Sequence, residues 1–207
     1  MKEPIIAGID AGSSSVKTVI ARVNDDKLEV IGIGESESEG IIKGIVVNIE
    51  AAANAIEKSV NQAEHMAGIQ APDVIATIGG EHIKGKNSKG VIGVNNKNKE
   101  VTSLEIERVL ESAKNILMPQ DREIIETIEQ EYSLDEQDEI KNPIGMSGTR
   151  LETRVHIITG LKYVSDNLKR TLKKIWFSGK DFIVNVRGSA EAVLTKDEKD
   201  LGVVVFD

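Results

Sequence analysis

The sequence contains no cysteine in its 207 residues. Disulfides, thiol nucleophiles and cysteine metal ligands are therefore excluded from its chemistry, and a reducing compartment fits this composition. The chain also lacks an excess of positive charge, because its formal net charge is -8. It offers no net positive field to a phosphate backbone, so we expect no nucleic-acid partner.

Long apolar runs are absent as well. No stretch approaches the roughly 20 apolar residues that a membrane-spanning helix requires. The first ten residues, MKEPIIAGID, also lack the apolar core of a signal peptide. We therefore expect a cytoplasmic chain, long enough for one large domain or two small ones.

The first eighty residues predict the order strand, strand, strand, helix, strand. Apolar and β-branched runs at 5–10, 16–23 and 28–33 are separated by turn residues. From Asn48 the apolar residues recur at helical spacing, and Gly68 predicts the end of that helix. A strand of buried type follows at 74–78, so this part of the chain has the pattern of an α/β domain.

Residues 83–160 have a different character and predict a small inserted domain. Residues 84–90 are polar and contain glycine, which predicts a loop, and 91–94 predict a short strand. Strands are predicted at 122–134 and 151–159, with an acidic loop at 135–148 between them.

The helix of this segment has a clear beginning. Thr102 and Glu105 match a capping box, in which the hydroxyl and the carboxylate bind backbone N–H groups at the helix start. Pro119 predicts that the helix ends near Leu117. Its predicted inward residues are Leu104, Val109, Leu110 and Ala113. The segment therefore has the order strand, helix, strand, strand.

After Gly160 the α/β pattern returns. A helix is predicted through 161–175, then a strand at 182–186, a short helix at 189–194 and an apolar strand at 201–206. Trp176, just after the first of these helices, either packs against the helix end or binds a partner. We predict one α/β domain, formed by residues 1–82 and 161–207, that is interrupted by the inserted domain at 83–160.

The turn between the first two strands carries the chemistry. Gly12 lets the backbone approach a phosphate closely, and consecutive N–H groups can form an anion-binding concavity. Ser13 and Ser14 can donate to phosphate oxygens, and Lys17 can supply a positive charge. Asp10, at the strand end, can hold Mg²⁺ through water.

The alternative for this turn is a serine-rich hairpin without a ligand, because glycine and serine are common in turns. A P-loop is excluded, since no Gly-Lys-Ser/Thr occurs at the required spacing. The position of the motif, between two strands at the start of an α/β unit, favours a phosphate loop.

Further stretches resemble the FtsA family of actin-like cell division proteins. They run in order through the whole chain. They are Gly40-Ile-Ile-Lys-Gly44, Ile78-Gly-Gly-Glu-His-Ile83, Gln130-Glu-Tyr132, Lys141-Asn-Pro-Ile-Gly-Met-Ser-Gly-Thr-Arg150, His156-Ile-Ile-Thr159 and Val193-Leu-Thr-Lys-Asp-Glu198.

This resemblance implies a fold. It is an actin-like (ribonuclease H-like) domain 1A with an inserted strand-helix-strand-strand α+β domain 1C. It also implies that the whole protein binds ATP and Mg²⁺ between two lobes and anchors the FtsZ ring at the cytoplasmic face of the inner membrane, at the septum. Domain 1C would serve self-association and the recruitment of later division proteins.

The resemblance also implies that other parts of the family are not in this chain. In the family a second phosphate loop follows the last strand, and Asp207 stands where that loop would begin. The FtsZ-binding region and the C-terminal membrane helix would lie beyond it. With one side of the ligand left in water, we expect no tightly bound nucleotide and no enzymatic activity from this portion. Two alternatives remain, an actin-like ATPase and a pilus-assembly relative that shares domain 1C.

Overall fold

The computed structural model describes residues 4–24, 27–179 and 181–206. In chain order the elements are β1 (Ile5–Ala11), β2 (Ser15–Asn24), β3 (Lys27–Glu37), β4 (Ile41–Ile42), β5 (Ile45–Val46), α1 (Ile49–Ala67), β6 (Val74–Ile78), β7 (Lys84–Gly93), α2 (Ser103–Lys114), β8 (Arg122–Leu134), β9 (Gln137–Ile140), β10 (Arg150–Leu161), α3 (Lys162–Lys174), β11 (Asp181–Val184), α4 (Asn185–Val193) and α5 (Lys196–Leu201).

The chain divides into two compact units. The first is formed by Met1–His82 together with Lys162–Asp207, and the second by Ile83–Leu161. Among the described residues, no helix combines the length and the apolar composition needed to cross a bilayer.

The first unit is built on a five-stranded sheet in the order β11-β6-β1-β2-β3. Strands β1, β2 and β3 form an antiparallel meander, while β6 pairs with β1 and β11 with β6 in parallel. Helices α1 and α3 form one core with the sheet. Its buried residues include Ile9, Val16 and Ile20 of the strands and Ile56, Leu168 and Leu172 of the helices.

Helix α1 forms where the sequence predicts it. The side chain of Asn48 accepts a hydrogen bond from the Ala51 N–H at 3.1 Å, and Gly68 ends the helix in the left-handed conformation. The helix lies very close to β3, because a Cβ built on Gly34 would be 1.8 Å from the Ser59 carbonyl oxygen. Its periodic apolar face therefore meets the sheet through the small residues of both elements.

The second unit is a four-stranded antiparallel sheet in the order β7-β10-β8-β9, with α2 packed against β7 and β10. The capping box is confirmed, since the Thr102 N–H donates to Glu105 Oε2 at 3.1 Å and the Leu104 N–H donates to Thr102 Oγ1. The core contains Val101, Val109, Tyr132, Leu134 and Leu151.

The predicted loop at 84–90 is wrong, because these residues begin strand β7. Every residue from Lys84 to Gly93 faces a residue of β10. This strand lies at the sheet edge with its polar side chains in water, so it has no apolar alternation by which sequence could reveal it.

Three smaller predictions in this unit also need correction. Residues 135–148 are not all loop, since β9 pairs back on β8. Helix α2 ends at Lys114, before the predicted Leu117, and Asn115 caps it. Leu104 is exposed, because it lies in the first turn beyond the face that contacts the sheet.

The last part of the first unit differs most from the prediction. Helix α4 begins at Asn185, four residues earlier than predicted, and α5 occupies Lys196–Leu201 with a capping box at Thr195. Residues 202–206, predicted as a strand, have no regular structure. An apolar run becomes a strand only when its backbone pairs with a neighbour, and these residues pair with none of the described strands.

Candidate functional site

The carboxyl ends of parallel strands β1 and β6, with the residue that follows β11, open onto one cavity of the first unit. Its volume is about 320 Å³. The edge formed by the carboxyl ends of parallel strands is where α/β sheets commonly hold ligands. The polar and glycine residues that line it are Asp10, Gly12, Ser13, Lys43, Gly44, Thr77, Gly79, Gly80, Glu81 and Asn185.

Asp10 is held in place by the next strand. The Thr77 hydroxyl donates to Asp10 Oδ1 at 2.5 Å, across 67 residues of sequence. Because β1 and β6 are parallel neighbours, their ends place the two side chains together. The second carboxylate oxygen of Asp10 stays available for a water molecule or a cation.

The predicted phosphate loop has a compact backbone. A Cβ built on Gly12 would lie 2.7 Å from the Ser15 carbonyl oxygen, so a larger residue does not fit without a backbone shift. Ser13 Oγ accepts a hydrogen bond from the Gly44 N–H at 2.9 Å. The Ser13 hydroxyl hydrogen remains able to donate to a ligand.

Two predicted residues lie apart from the cavity lining. Ser14 uses its carbonyl to accept from the Ser38 N–H at 3.2 Å, and it is not among the described residues that line the cavity. Lys17 is the register partner of Asp10 on β2 and is exposed, also outside that lining. Asp207, predicted as the start of a second phosphate site, lies outside the described residues.

The structure adds residues that sequence reasoning did not place at the site. Lys43 and Gly44 reach it from the turn between β4 and β5, and Thr77 from the end of β6. Asn185, the first residue of α4, packs on Gly79 so closely that a Cβ there would be 2.5 Å from Asn185 Oδ1. In the sequence, Gly44 and Gly79 lie in stretches that resemble the FtsA family, but they were not assigned to the site.

The charge of the cavity is mixed. Asp10 and Glu81 bring carboxylates, and Lys43 brings the basic side chain. Among the described residues, no group of three or more His, Asp or Glu side chains could hold a metal ion by itself. A cation at Asp10 would therefore need further oxygens from its ligand and from water.

The second unit presents a surface of a different kind. Lys84, Lys86 and Arg122 line a shallow cavity of about 370 Å³ with Met118. Leu117 stands beside them with 98 % of its surface exposed.

The Trp176 side chain does not pack against its helix end. It is 94 % exposed, and its backbone has the left-handed φ of 72° that usually requires glycine. The Phe177 N–H donates to the Leu172 carbonyl at 3.1 Å and the Trp176 N–H to the Lys173 carbonyl at 3.2 Å, the pattern of a Schellman motif.

These features define a class. An antiparallel three-stranded meander continued by parallel strands is the sheet topology of the actin-like fold. A solved structure described as a "PilM-PilN type IV pilus biogenesis complex" shares the fold, with a TM-score of 0.54 at 12% sequence identity. The similarity covers 86% of this chain and 46% of that one.

Sequence comparison gives the particular family. The family described as "SHS2 domain inserted in FTSA" matches residues 80–159. "Cell division protein FtsA" of Borreliella burgdorferi is 41% identical over 208 residues, covering 100% of this chain and 50% of the relative. The protein of the same name from Neisseria meningitidis is 41% identical over 203 residues, covering 98% and 49%.

The chain belongs to the FtsA family. It spans about half the length of the curated relatives that it matches. The α/β fold of actin-like type, with its inserted strand-helix-strand-strand domain, is thereby confirmed.

Proposed function

We propose that the chain is part of a cell division scaffold, in which the first unit faces a nucleotide and the second contacts other proteins. The observation that carries this proposal is the identity to FtsA proteins over the whole chain, inserted domain included. We assign residues 1–82 and 161–207 to domain 1A and residues 83–160 to domain 1C.

The ligand proposed for the cleft is Mg-ATP. Gly12 would let the backbone approach the phosphates, and the hydroxyls of Ser13 and Ser14 with the ammonium of Lys17 would donate to them. Asp10, oriented by Thr77, would hold Mg²⁺ through water. Support comes from the position of Asp10, Gly12 and Ser13 in one cavity.

The chain by itself would not be an enzyme under this proposal. The described cavity offers one wall to the nucleotide. Apart from Asp207, we assign the facing groups to the part of the relatives that this chain does not span. A ligand desolvated on one side binds weakly. Calorimetry of these 207 residues with Mg-ATP should show no tight binding, and a micromolar dissociation constant would contradict the incomplete site.

The phosphate loop is tested in the complete protein. Lys17→Ala should weaken Mg-ATP binding by about tenfold, since it removes a charge near the phosphates. Lys58→Ala, on the exposed side of α1, is the matched control and should leave binding unchanged. If the two variants bind Mg-ATP with equal affinity, the loop is a turn that binds no phosphate.

For the second unit we propose self-association and the recruitment of later division proteins at the septum. FtsZ and the membrane would be contacted through regions outside this chain, and the complete protein would lie at the cytoplasmic face of the inner membrane. Removing residues 83–160 from the complete protein should abolish septal recruitment of its partners. Recruitment that survives the deletion would rule out this module.

A finer variant avoids a large deletion. Leu117→Asp changes an exposed side chain next to Lys84 and Lys86, so the fold should remain intact. We expect reduced recruitment with an unchanged thermal midpoint. Leu104→Asp, also exposed but in the first turn of α2, serves as the control.

A second candidate is a role in pilus assembly, favoured by the fold similarity to the PilM-PilN complex. That similarity stands at 12% identity, whereas the division proteins reach 41%. A tagged complete protein should localise at mid-cell in dividing cells. Polar or envelope-wide localisation, with normal division after gene loss, would favour the pilus candidate.

A further inference from the structure

The turn between β4 and β5 has a feature that the phosphate loop does not explain. Its two central residues, Lys43 and Gly44, have φ values of 50° and 74°. Ile42 pairs with Ile45, so this is a two-residue hairpin of the type I′ pattern. Asparagine, aspartate or glycine usually occupies the first central position, and a lysine there is uncommon.

The turn is clamped against the rest of the cleft. The Gly44 N–H donates to Ser13 Oγ at 2.9 Å, which joins the turn to the predicted phosphate loop. A Cβ on Gly44 would lie 2.6 Å from the Gly79 carbonyl oxygen. A Cβ on Gly80 would lie 2.6 Å from the carbonyl oxygen of Lys43. These approaches hold the Lys43 backbone at the cavity.

The charge of Lys43 has no ion-pair partner in the part of the chain that the structure describes. Among the described residues that line the cavity, Lys43 alone carries a basic side chain. The described part of the chain contains no carboxylate within ion-pair distance of it, although Asp10 and Glu81 line the same cavity. A lysine ammonium on its flexible stem is a frequent ligand of phosphate oxygens.

We propose that Lys43 is a phosphate-binding residue of the cleft, donating from its ammonium to an oxygen of the bound nucleotide. This inference rests on the proposed nucleotide function. Lys43 combines a backbone conformation that is uncommon for lysine with a place in the cavity lining, and such outliers cluster at ligand sites. The clamped turn keeps Lys43 in the cavity that Ser13 also lines.

The test is Lys43→Asn in the complete protein, with Mg-ATP and adenosine as separate probes. Asparagine tolerates a positive φ, so the turn and the thermal midpoint should be preserved or improved. We expect binding of Mg-ATP to weaken about tenfold, while binding of adenosine is unchanged. The salt dependence of Mg-ATP binding should also decrease.

The matched control is Lys99→Asn. Lys99 is exposed, has φ 49° and lies in the second unit, so the same substitution there removes an equivalent charge away from the cleft. It should bind Mg-ATP like the wild type.

Each outcome decides the proposal. Equal Mg-ATP affinity in the Lys43→Asn variant and the wild type would overturn the role of Lys43 and leave the nucleotide site standing. A parallel loss of adenosine binding would show a structural effect and would also overturn it. If wild type and control both fail to bind Mg-ATP, the nucleotide site fails and the inference fails with it.

Discussion

The two units use their polar side chains differently. In the first unit, polar groups from β1, from the β4–β5 turn and from β6 gather at one cavity, and Lys43 there has no carboxylate partner among the described residues. In the second unit, ion pairs lie on the sheet itself. Glu152, nearly buried, pairs with both Lys89 and Arg150, and Arg154 pairs with Glu131 at 2.7 Å.

This difference indicates two modes of binding. A cavity in which several hydrogen-bonding groups converge suits a small ligand, since burial and several polar contacts then act together. A sheet with ion pairs on its surface and, among its described residues, no comparable gathering of polar groups in a cavity suits contact with another protein more than a small ligand. We expect the two units to be stabilised separately as well.

The largest expected effect comes from the close helix–sheet approach found in each unit. A Cβ on Gly34 would lie 1.8 Å from the Ser59 carbonyl oxygen, and one on Gly90 would lie 2.2 Å from the Val109 carbonyl oxygen. Gly34→Ala and Gly90→Ala should each lower the free energy of unfolding by on the order of 3 kcal/mol, because the helix must move away.

Hydrogen exchange resolved by strand measures this effect unit by unit. Gly34→Ala should lower protection in β2 and β3, and Gly90→Ala in β7 and β10. Gly188→Ala is the control, since nothing lies within 4 Å of a Cβ there and α4 gains helix propensity. If either variant lowers hydrogen-exchange protection equally in both units, the two units are not stabilised separately.

Two capping boxes provide the next test. Thr102→Ala should reduce the free energy of unfolding by about 1.5 kcal/mol, because α2 packs against its sheet through buried residues such as Val109. Thr195→Ala alters the same motif on α5, a helix of six residues that buries none. We expect no change in global stability there. Urea titrations measure both variants. Equal shifts of the two midpoints would contradict the expected difference between α2 and α5.

A smaller gain in stability is expected at Trp176. Trp176→Gly should raise the free energy of unfolding by about 1 kcal/mol, because it relieves the left-handed backbone of a bulky residue. Trp176→Ala removes the indole but keeps most of the strain, so it separates the two causes. A thermal midpoint that falls in the glycine variant would mean that the exposed indole stabilises the first unit.

The smallest effect is a pH dependence in the second unit. Hydrogen bonds from the Thr149 hydroxyl and from backbone N–H groups lower the pKa of Asp135 from its ordinary 3.8. The hydrogen bond from Thr102 likewise lowers the pKa of Glu105 from 4.5. A depressed folded-state pKa gives stability that is complete above the unfolded-state value and is lost as pH falls through the folded-state value.

We therefore expect the second unit to lose protection as the pH falls below about 4, before the core of the first unit does. Asp135→Asn should flatten this dependence, and hydrogen exchange at a series of pH values measures it. The effect is modest at Asp135, because its carboxylate is exposed to water. An acid transition that begins in α1 and β2 instead would reverse the comparison.

Local signals predicted some elements and missed others. Helix α1 carries its own periodicity and both caps, so its limits were predicted correctly. Strand β7 has mostly polar residues and owes its conformation to pairing with β10, which sequence alone does not reveal. Residues 202–206 have the reverse property, an apolar pattern without a paired strand among the described ones.

The residues of the site also divide into those that the sequence could predict and those that it could not. Asp10, Gly12 and Ser13 are contiguous and follow a strand, so they could be proposed from the sequence. Thr77 and Gly44 reach them from 67 and 31 residues away, through the parallel pairing of β6 and the folding back of the β4–β5 turn. Their own sequence contexts carry no sign of that meeting.

The amino-acid sequence by itself determined the family, the interruption of an α/β domain by a second one, and the glycine-serine turn after the first strand. These depend on residues that are neighbours in the chain, where periodicity, caps and motifs act. Only the tertiary structure decided that Lys43, Thr77 and Asn185 share a cavity with that turn. Sheet pairing and helix packing join distant segments, and the burial and charge of each side chain depend on which segments meet.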